Sequence, residues 1–209
     1  MPRYSSYESL YKHIKRLIRH SHKPLFFILV GGSSRTGKST LTSMLSSKFK
    51  ADGIETNIIN LDPWLISMEK RRSSSTVMER YDCDGIQKSI KAILKGKRVF
   101  PPVYDVVSRK RIAEKSDKFL MAKSGIVFIE GVIALALKRL LELAELKIFT
   151  NIPDKIRLKR LTDFYVNTKE LTYDEAERII QSREKEEVAF IKKTAEQADI
   201  IFSPKTHLV

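Results

Sequence analysis

The sequence predicts an α/β fold: a five-stranded, mainly parallel sheet forming the middle of a three-layer sandwich, with helices on both faces. Three observations predict it. LFFILV at 25–30 and GIVFIEG at 125–131 are short, almost wholly apolar runs, the pattern of strands buried on both faces. Helical patterns separate such runs, so successive strands are joined by crossovers rather than by tight hairpins. The first run also leads straight into a glycine-rich turn and then a helix, GSSRTGKS followed by TLTSMLSSKFK.

Composition suits one soluble domain. The 209 residues are 42% hydrophobic and 31% charged, enough apolar material for a sizeable core. No apolar run approaches the roughly 20 residues that cross a bilayer, and the opening MPRYSSYESLYKHIKRLIRH lacks a signal-peptide core, so a soluble cytoplasmic protein with no membrane partner is expected. Cys83 is the only cysteine and cannot form an internal disulfide; with four histidines it offers no metal-ligand spacing. A net charge of +14 favours anionic partners, but charge alone speaks to steering and solubility, not to chemistry.

The elements follow in order. Residues 5–20, within an N-terminal segment of about 1–22, read as an amphipathic helix. Ser5 and Glu8 have capping-box spacing, and Leu10, Ile14, Leu17 and Ile18 share one face. Pro24 opens the first strand. The next helix has Leu41, Met44 and Leu45 as its inner stripe and ends at Asp52-Gly53. TNIINLDP supplies a second strand ending at Asp62. Residues from about 65 to 120 form a polar insertion with a helical piece at Ile86–Leu94. The third strand ends at Glu130, and a helix spans about Ile133–Leu146; LKIFTNIP and ADIIF are strands four and five. Between those two, Pro153 starts one helix, and Thr172 with Glu175 forms the capping box of another. That second helix runs to Ala198, but its middle, QSREKEE, has no apolar residue, which predicts a segment overhanging a solvent-filled site.

Residues 32–39 match G-x-x-x-x-G-K-[ST] in full, a pattern expected by chance on the order of 0.01 times in a chain of this length. Between a buried strand and a helix, this is the phosphate loop of P-loop NTPases: backbone N–H groups and the helix N-terminus converge on phosphate oxygens. The cradle expected for ATP therefore runs through Gly32, Ser33, Ser34, Arg35, Thr36, Gly37, Lys38, Ser39 and Thr40. The two glycines permit backbone conformations that a Cβ would block. Lys38 should reach the β- and γ-phosphates, and Ser39 should offer its hydroxyl to Mg²⁺. The guanine-reading N-K-x-D, the LSGGQ transporter signature and the helicase D-E-x-D/H are all absent. What stands at the strand ends is Asp62 and Glu130, on the side where ligands bind in doubly wound sheets. Asp62 can orient an acceptor hydroxyl and take its proton, and Glu130 can hold Mg²⁺ through water.

Five segments, in order over about residues 25–203, resemble the uridine kinase-like group of P-loop kinases, related to phosphoribulokinase and bacterial pantothenate kinase. They are GGSSRTGKST, LDPW, RYDCDGI, PPVYDVVSRKR and FIEGVIAL. The resemblance implies that Asp62 is the catalytic base, Asp84 binds sugar hydroxyls, Tyr104 faces the acceptor and Glu130 belongs to the metal shell. It also implies an acceptor-binding flap at about 65–120 and a helical lid at about 155–187. Two departures stand out. Arg109 falls where the group has a histidine near the nucleobase, and the arginine-rich lid motif is replaced by RLKRLTDFYVN and SREKEEVAF, where Arg157, Arg160 and Arg183 are candidates to grip the transferred phosphoryl. The expected function is an ATP-dependent kinase acting on a hydroxyl of a nucleoside or similar riboside. A kinase for a non-nucleoside metabolite and a nucleic-acid-associated ATPase are the alternatives; no recognised nucleic-acid-binding module is present, so nucleic acid is not the expected partner.

Overall fold

The computed structural model describes residues 1–72 and 74–205. Its main sheet is built from β1 (Arg3–Tyr4), β2 (Leu25–Gly31), β3 (Thr56–Asn60), β6 (Gly125–Glu130), β7 (Leu146–Thr150) and β8 (Ile200–Phe202). The order is β1-β8-β7-β2-β6-β3, with every pair parallel. The expected α/β class is the observed one, with six strands in the sheet rather than five. The extra strand is β1, two residues long, held by backbone bonds from Ile201 N–H to Pro2 and from Ser203 N–H to Tyr4. Such an edge carries no periodic pattern for a sequence reading to find.

The continuous apolar run of β2 is explained by two cores. Phe26, Ile28 and Val30 face the side covered by α1 (Tyr7–Arg19) and α2 (Lys38–Ala51), among Leu10, Ile14, Leu41 and Phe49. Phe27 and Leu29 face the opposite side, with Ile59, Val127, Ile133 and Leu140. Burying both faces leaves no position for a polar residue. In α2 the inner stripe is Leu41, Leu45 and Phe49; Met44, expected inside, is 47% exposed. At the start of α1 the cap is Ser6, without a side-chain bond, and Glu8 instead pairs with Lys12 and Lys48.

After β6 the chain turns through Gly131–Leu137 before a short α4 (Lys138–Leu143). The helix expected from Ile133 is therefore shortened. Ile133, Ala134 and Leu135 are completely buried within the turns, so an all-apolar run here marks burial rather than helical periodicity. The insertion holds α3 (Cys83–Leu94) and an antiparallel hairpin, β4 (Val103–Asp105) with β5 (Lys110–Ala113). Beyond β7, α5 (Asp154–Asn167) packs on α6 (Tyr173–Arg183) through Leu161, Tyr165, Ala176 and Ile180. The Thr172–Glu175 capping box is formed. The expected long helix is broken: a π-helical turn, Glu184–Val188, separates α6 from α7 (Ala189–Thr194), at the stretch without apolar residues. Among the described residues no helix is long and apolar enough to cross a membrane.

Candidate active site

The phosphate loop is tied down from behind. Thr36 Oγ1 lies 2.8 Å from the Ser33 carbonyl and 2.7 Å from Thr150 Oγ1, and Thr150 Oγ1 donates to the Gly31 carbonyl at 3.1 Å. Gly32 passes this anchor with φ of 136°, where a Cβ would come within 2.5 Å of the Thr150 carbonyl oxygen. Gly37 has φ of 92° and open space around it, so its requirement is conformational alone. Gly32, Ser33 and Thr36 thus shape the loop from its buried side. Ser34, Arg35, Gly37, Lys38, Ser39 and Thr40 line a cavity of about 830 Å³, a size suited to small ligands.

Charge inside the loop is tightly organised. Lys38 is only 9% exposed, and its Nζ donates to the Ser33 carbonyl at 2.9 Å. Burial lowers its proton affinity, while Asp62 and Glu130 act in the opposite sense. Glu130, at the end of β6, accepts a 2.7 Å bond from Ser39 Oγ; burial raises its carboxyl, against the pull of Ser39 and Lys38. Asp62 opens a 3₁₀ turn, Asp62–Trp64, just past β3, and its N–H donates to Asn60 Oδ1 at 2.7 Å. Burial raises its carboxyl too, opposed by Lys38 and Arg35. Leu61 N–H bonds to the Glu130 carbonyl at 2.9 Å, which brings both acids to one rim. No group of three or more acidic, histidine or cysteine side chains suited to a metal occurs among the described residues.

The far wall comes from the insertion and from α5 and α6. Tyr104, Arg109, Arg160 and Arg183 all line the cavity. Arg109 sits at the hairpin turn with φ of 59° and is half-buried; burial and nearby Arg183 lower its proton affinity. Arg183 Nη1 donates to Tyr165 Oη at 2.8 Å. Two expected residues lie elsewhere. Asp84 is exposed on the first turn of α3 and does not line the cavity, whereas its neighbour Asp82 caps that helix by accepting from Gly85 N–H at 2.8 Å. Arg157 is buried away from the cavity, bound to Glu184 at 2.9 Å through Nη1 and to Asp154 at 3.2 Å through Nε.

The cavity wall also contains residues that the sequence does not single out individually: Arg71, Arg80, Tyr81, Tyr165, Lys169 and Glu187. Arg71 donates to the Ile66 carbonyl at 2.7 Å and to Tyr104 Oη at 3.1 Å. Arg80 pairs with Glu187. Arg80 and Tyr81 open the RYDCDGI segment, Tyr165 lies in RLKRLTDFYVN and Glu187 in the apolar-free QSREKEE stretch, whereas Arg71 and Lys169 fall in no such segment.

A family model described as the Phosphoribulokinase / Uridine kinase family matches residues 27–207. The chain belongs to this family. Among its relatives, this phosphoribulokinase/uridine kinase family member is 28% identical over 188 residues to uridine kinase of Saccharomyces cerevisiae, covering 84% of this chain and 36% of the yeast protein. It is 27% identical over 146 residues to mouse uridine-cytidine kinase-like 1, covering 66% of this chain and 26% of that relative. For uridine kinase of Streptococcus uberis the figures are 29% over 143 residues, covering 66% of each. The chain thus spans about a quarter to a third of the two eukaryotic relatives. A structure assigned as a candidate fructose transport system kinase of Silicibacter sp. TM1040 superposes with a TM-score of 0.76 at 18% identity, over 95% of this chain and 99% of the other. D-glycerate 3-kinase of Cryptococcus neoformans superposes with a TM-score of 0.61 at 13% identity, over 88% and 87%. Both likenesses concern the fold.

Proposed function

We propose that this family member is an ATP-dependent kinase that transfers the γ-phosphoryl group of Mg-ATP to a hydroxyl of a nucleoside or similar riboside. The observation that carries the reading is the placement of Asp62 in one cavity with Lys38 and the Ser39–Glu130 pair. The names of the curated relatives make uridine and cytidine the first acceptors to try.

Each role follows from position. Backbone N–H groups of the loop and Lys38 hold the phosphates. The Ser39 hydroxyl and Glu130 carboxylate are hard oxygen ligands 2.7 Å apart, which fits a Mg²⁺ that arrives with the nucleotide and keeps most of its water. When bound, that ion offsets the negative charge of the β- and γ-phosphates. Asp62 accepts the acceptor's hydroxyl proton as the oxygen forms its bond to the γ-phosphorus. The bond from γ-phosphorus to the β,γ-bridging oxygen breaks, and its electron pair leaves with ADP. Burial raises the proton affinity of Asp62, which suits a base. Arg160 supplies positive charge to the transferred group, and the wall of α5 and α6 keeps water from competing as acceptor.

The test is ADP release that depends on an added small acceptor. Asp62→Asn is expected to lower kcat by about 10²- to 10⁴-fold while ATP affinity persists. Full turnover in that variant would remove Asp62 as the base, and turnover stimulated only by DNA or RNA would replace the kinase reading with a nucleic-acid-associated ATPase.

A further inference from the structure

Positive charge gathers on the part of the cavity wall that the insertion, α5 and α6 build. Arg71 and Arg109 reach it from the insertion, Lys169 from the connection between α5 and α6, and Arg183 from the end of α6; all four are half-buried. They act on one another electrostatically: beside burial, Arg109, Arg183 and Arg71 each disfavour the charged form of Lys169, as does Arg35 of the phosphate loop. Among the described residues, none of the four forms an ion pair with a carboxylate. Two acids are otherwise engaged. Glu187 pairs with Arg80, and Asp105, which faces Lys169, accepts bonds from Val107 N–H at 3.2 Å and Ser108 N–H at 2.8 Å.

These cations are held in place by neutral groups, so their charge is unspent. The Ile66 carbonyl and Tyr104 hydroxyl orient Arg71, and the Tyr165 hydroxyl orients Arg183. Lys169 Nζ lies 5.5 Å from the ring centroids of Phe164 and Tyr165. Arg109 adopts φ of 59°, a left-handed conformation costly for a residue with a Cβ. Gathering unneutralised cations without a ligand is unfavourable, and rigid guanidinium groups match phosphate and carboxylate oxygens.

The nucleotide does not account for this charge. Basic side chains outnumber acidic ones eight to four along the cavity wall. A magnesium-bound triphosphate brings roughly −2, and Lys38, Arg35 and Arg160 stand beside the loop and the lid to receive it. The remaining excess lies on Arg71 and Arg109 of the insertion and on Lys169 and Arg183 of the α5–α6 wall.

We propose that the acceptor carries an anionic group, a phosphate monoester or a carboxylate, seated among Arg71, Arg109, Lys169 and Arg183, with its reacting hydroxyl directed to Asp62. The proposal rests on the kinase reading and narrows it: an unmodified neutral nucleoside leaves this cluster unmatched, whereas a phosphorylated riboside, a sugar phosphate or a hydroxy acid fills it.

The decisive experiment fills the nucleotide site first. Protein saturated with Mg²⁺ and the non-hydrolysable analogue AMPPNP is titrated with inorganic phosphate and, separately, with acetate, by calorimetry. At least one anion is expected to bind the loaded protein, and Arg109→Gln and Lys169→Gln are each expected to weaken that binding by about tenfold or more with AMPPNP affinity unchanged. Two variants with matching melting curves guard against a fold defect in either. The stronger of the two anions identifies phosphate or carboxylate as the group recognised. ADP-release assays with ribose 5-phosphate against ribose, and glycerate against glycerol, should favour the charged member of each pair. Loaded wild type that binds neither anion, or variants that bind as tightly as wild type, would overturn the anion site and leave the kinase reading standing. Failure of AMPPNP itself to bind would instead overturn the reading on which the proposal depends.

Discussion

Lys169 titrates near the pH at which enzymes work: burial and the charges of Arg109, Arg183, Arg71 and Arg35 pull it from the usual 10.5 to about 8. Asp105 and the rings of Phe164 and Tyr165 also face it. Because the folded value is the lower one, the unfolded chain binds the extra proton between about pH 8 and 10.5, and this residue's contribution to stability rises with pH across that window. Ligand binding runs the other way. An anion favours charged Lys169, so the affinity of AMPPNP-loaded protein for sulfate, whose charge is constant, should fall as pH rises through 8. A flat profile from about pH 7 to 9 would exclude Lys169 from contact with the anion. Lys38 differs: its Ser33 bond and the facing acids define a site inside the loop, and its spacing alone marked it.

At the scale of elements, α5 and α6 are joined to the π turn by Arg157, 2% exposed and bonded to Glu184 and Asp154. This arginine is cement rather than a phosphate contact. Arg157→Met leaves Glu184 without its partner; because that carboxylate is 29% exposed, the expected cost is about 1–3 kcal/mol, below that of a fully buried pair. Hydrogen exchange should accelerate over residues 154–188 and stay unchanged in β2 and β6, with nucleotide affinity retained. Loss of turnover with unaltered exchange would return Arg157 to the list of groups that touch phosphate. A further link joins this wall to the nucleotide site: the Arg35 guanidinium lies 3.5 Å from the Phe164 ring centroid, so the phosphate loop and α5 meet directly.

For the whole molecule, a buried sheet presents its strand ends to one cavity that a net charge of +14 makes attractive to anions. Nucleotide binding to the folded state alone should stabilise it by mass action, about 2.7 kcal/mol at a hundredfold excess over Kd, which for a domain of this size is roughly 5–11 °C in Tm. Thermal melts with Mg²⁺ and AMPPNP measure this directly, and Lys38→Ala should remove most of the shift. An equal shift in that variant would place the nucleotide away from the loop.

Much of the site was legible because its chemistry is contiguous. The strand, glycine turn and helix of residues 25–51 are dictated locally, and strand-end acids could be read from where apolar runs stop at Asp62 and Glu130. By itself the sequence determined the α/β class, the phosphate loop and the acid on which the proposed transfer depends. Tertiary structure decided what lines the rest of the cavity. Arg71, Arg109, Lys169 and Arg183 lie on separate segments, and only packing brings their charges together. Asp84 and Arg157 looked equally promising in one dimension, yet helix phase exposes the first and ion pairing buries the second. Local backbone requirements are written into neighbouring residues; the charge of a cavity is the sum over distant ones, and no local pattern records that sum.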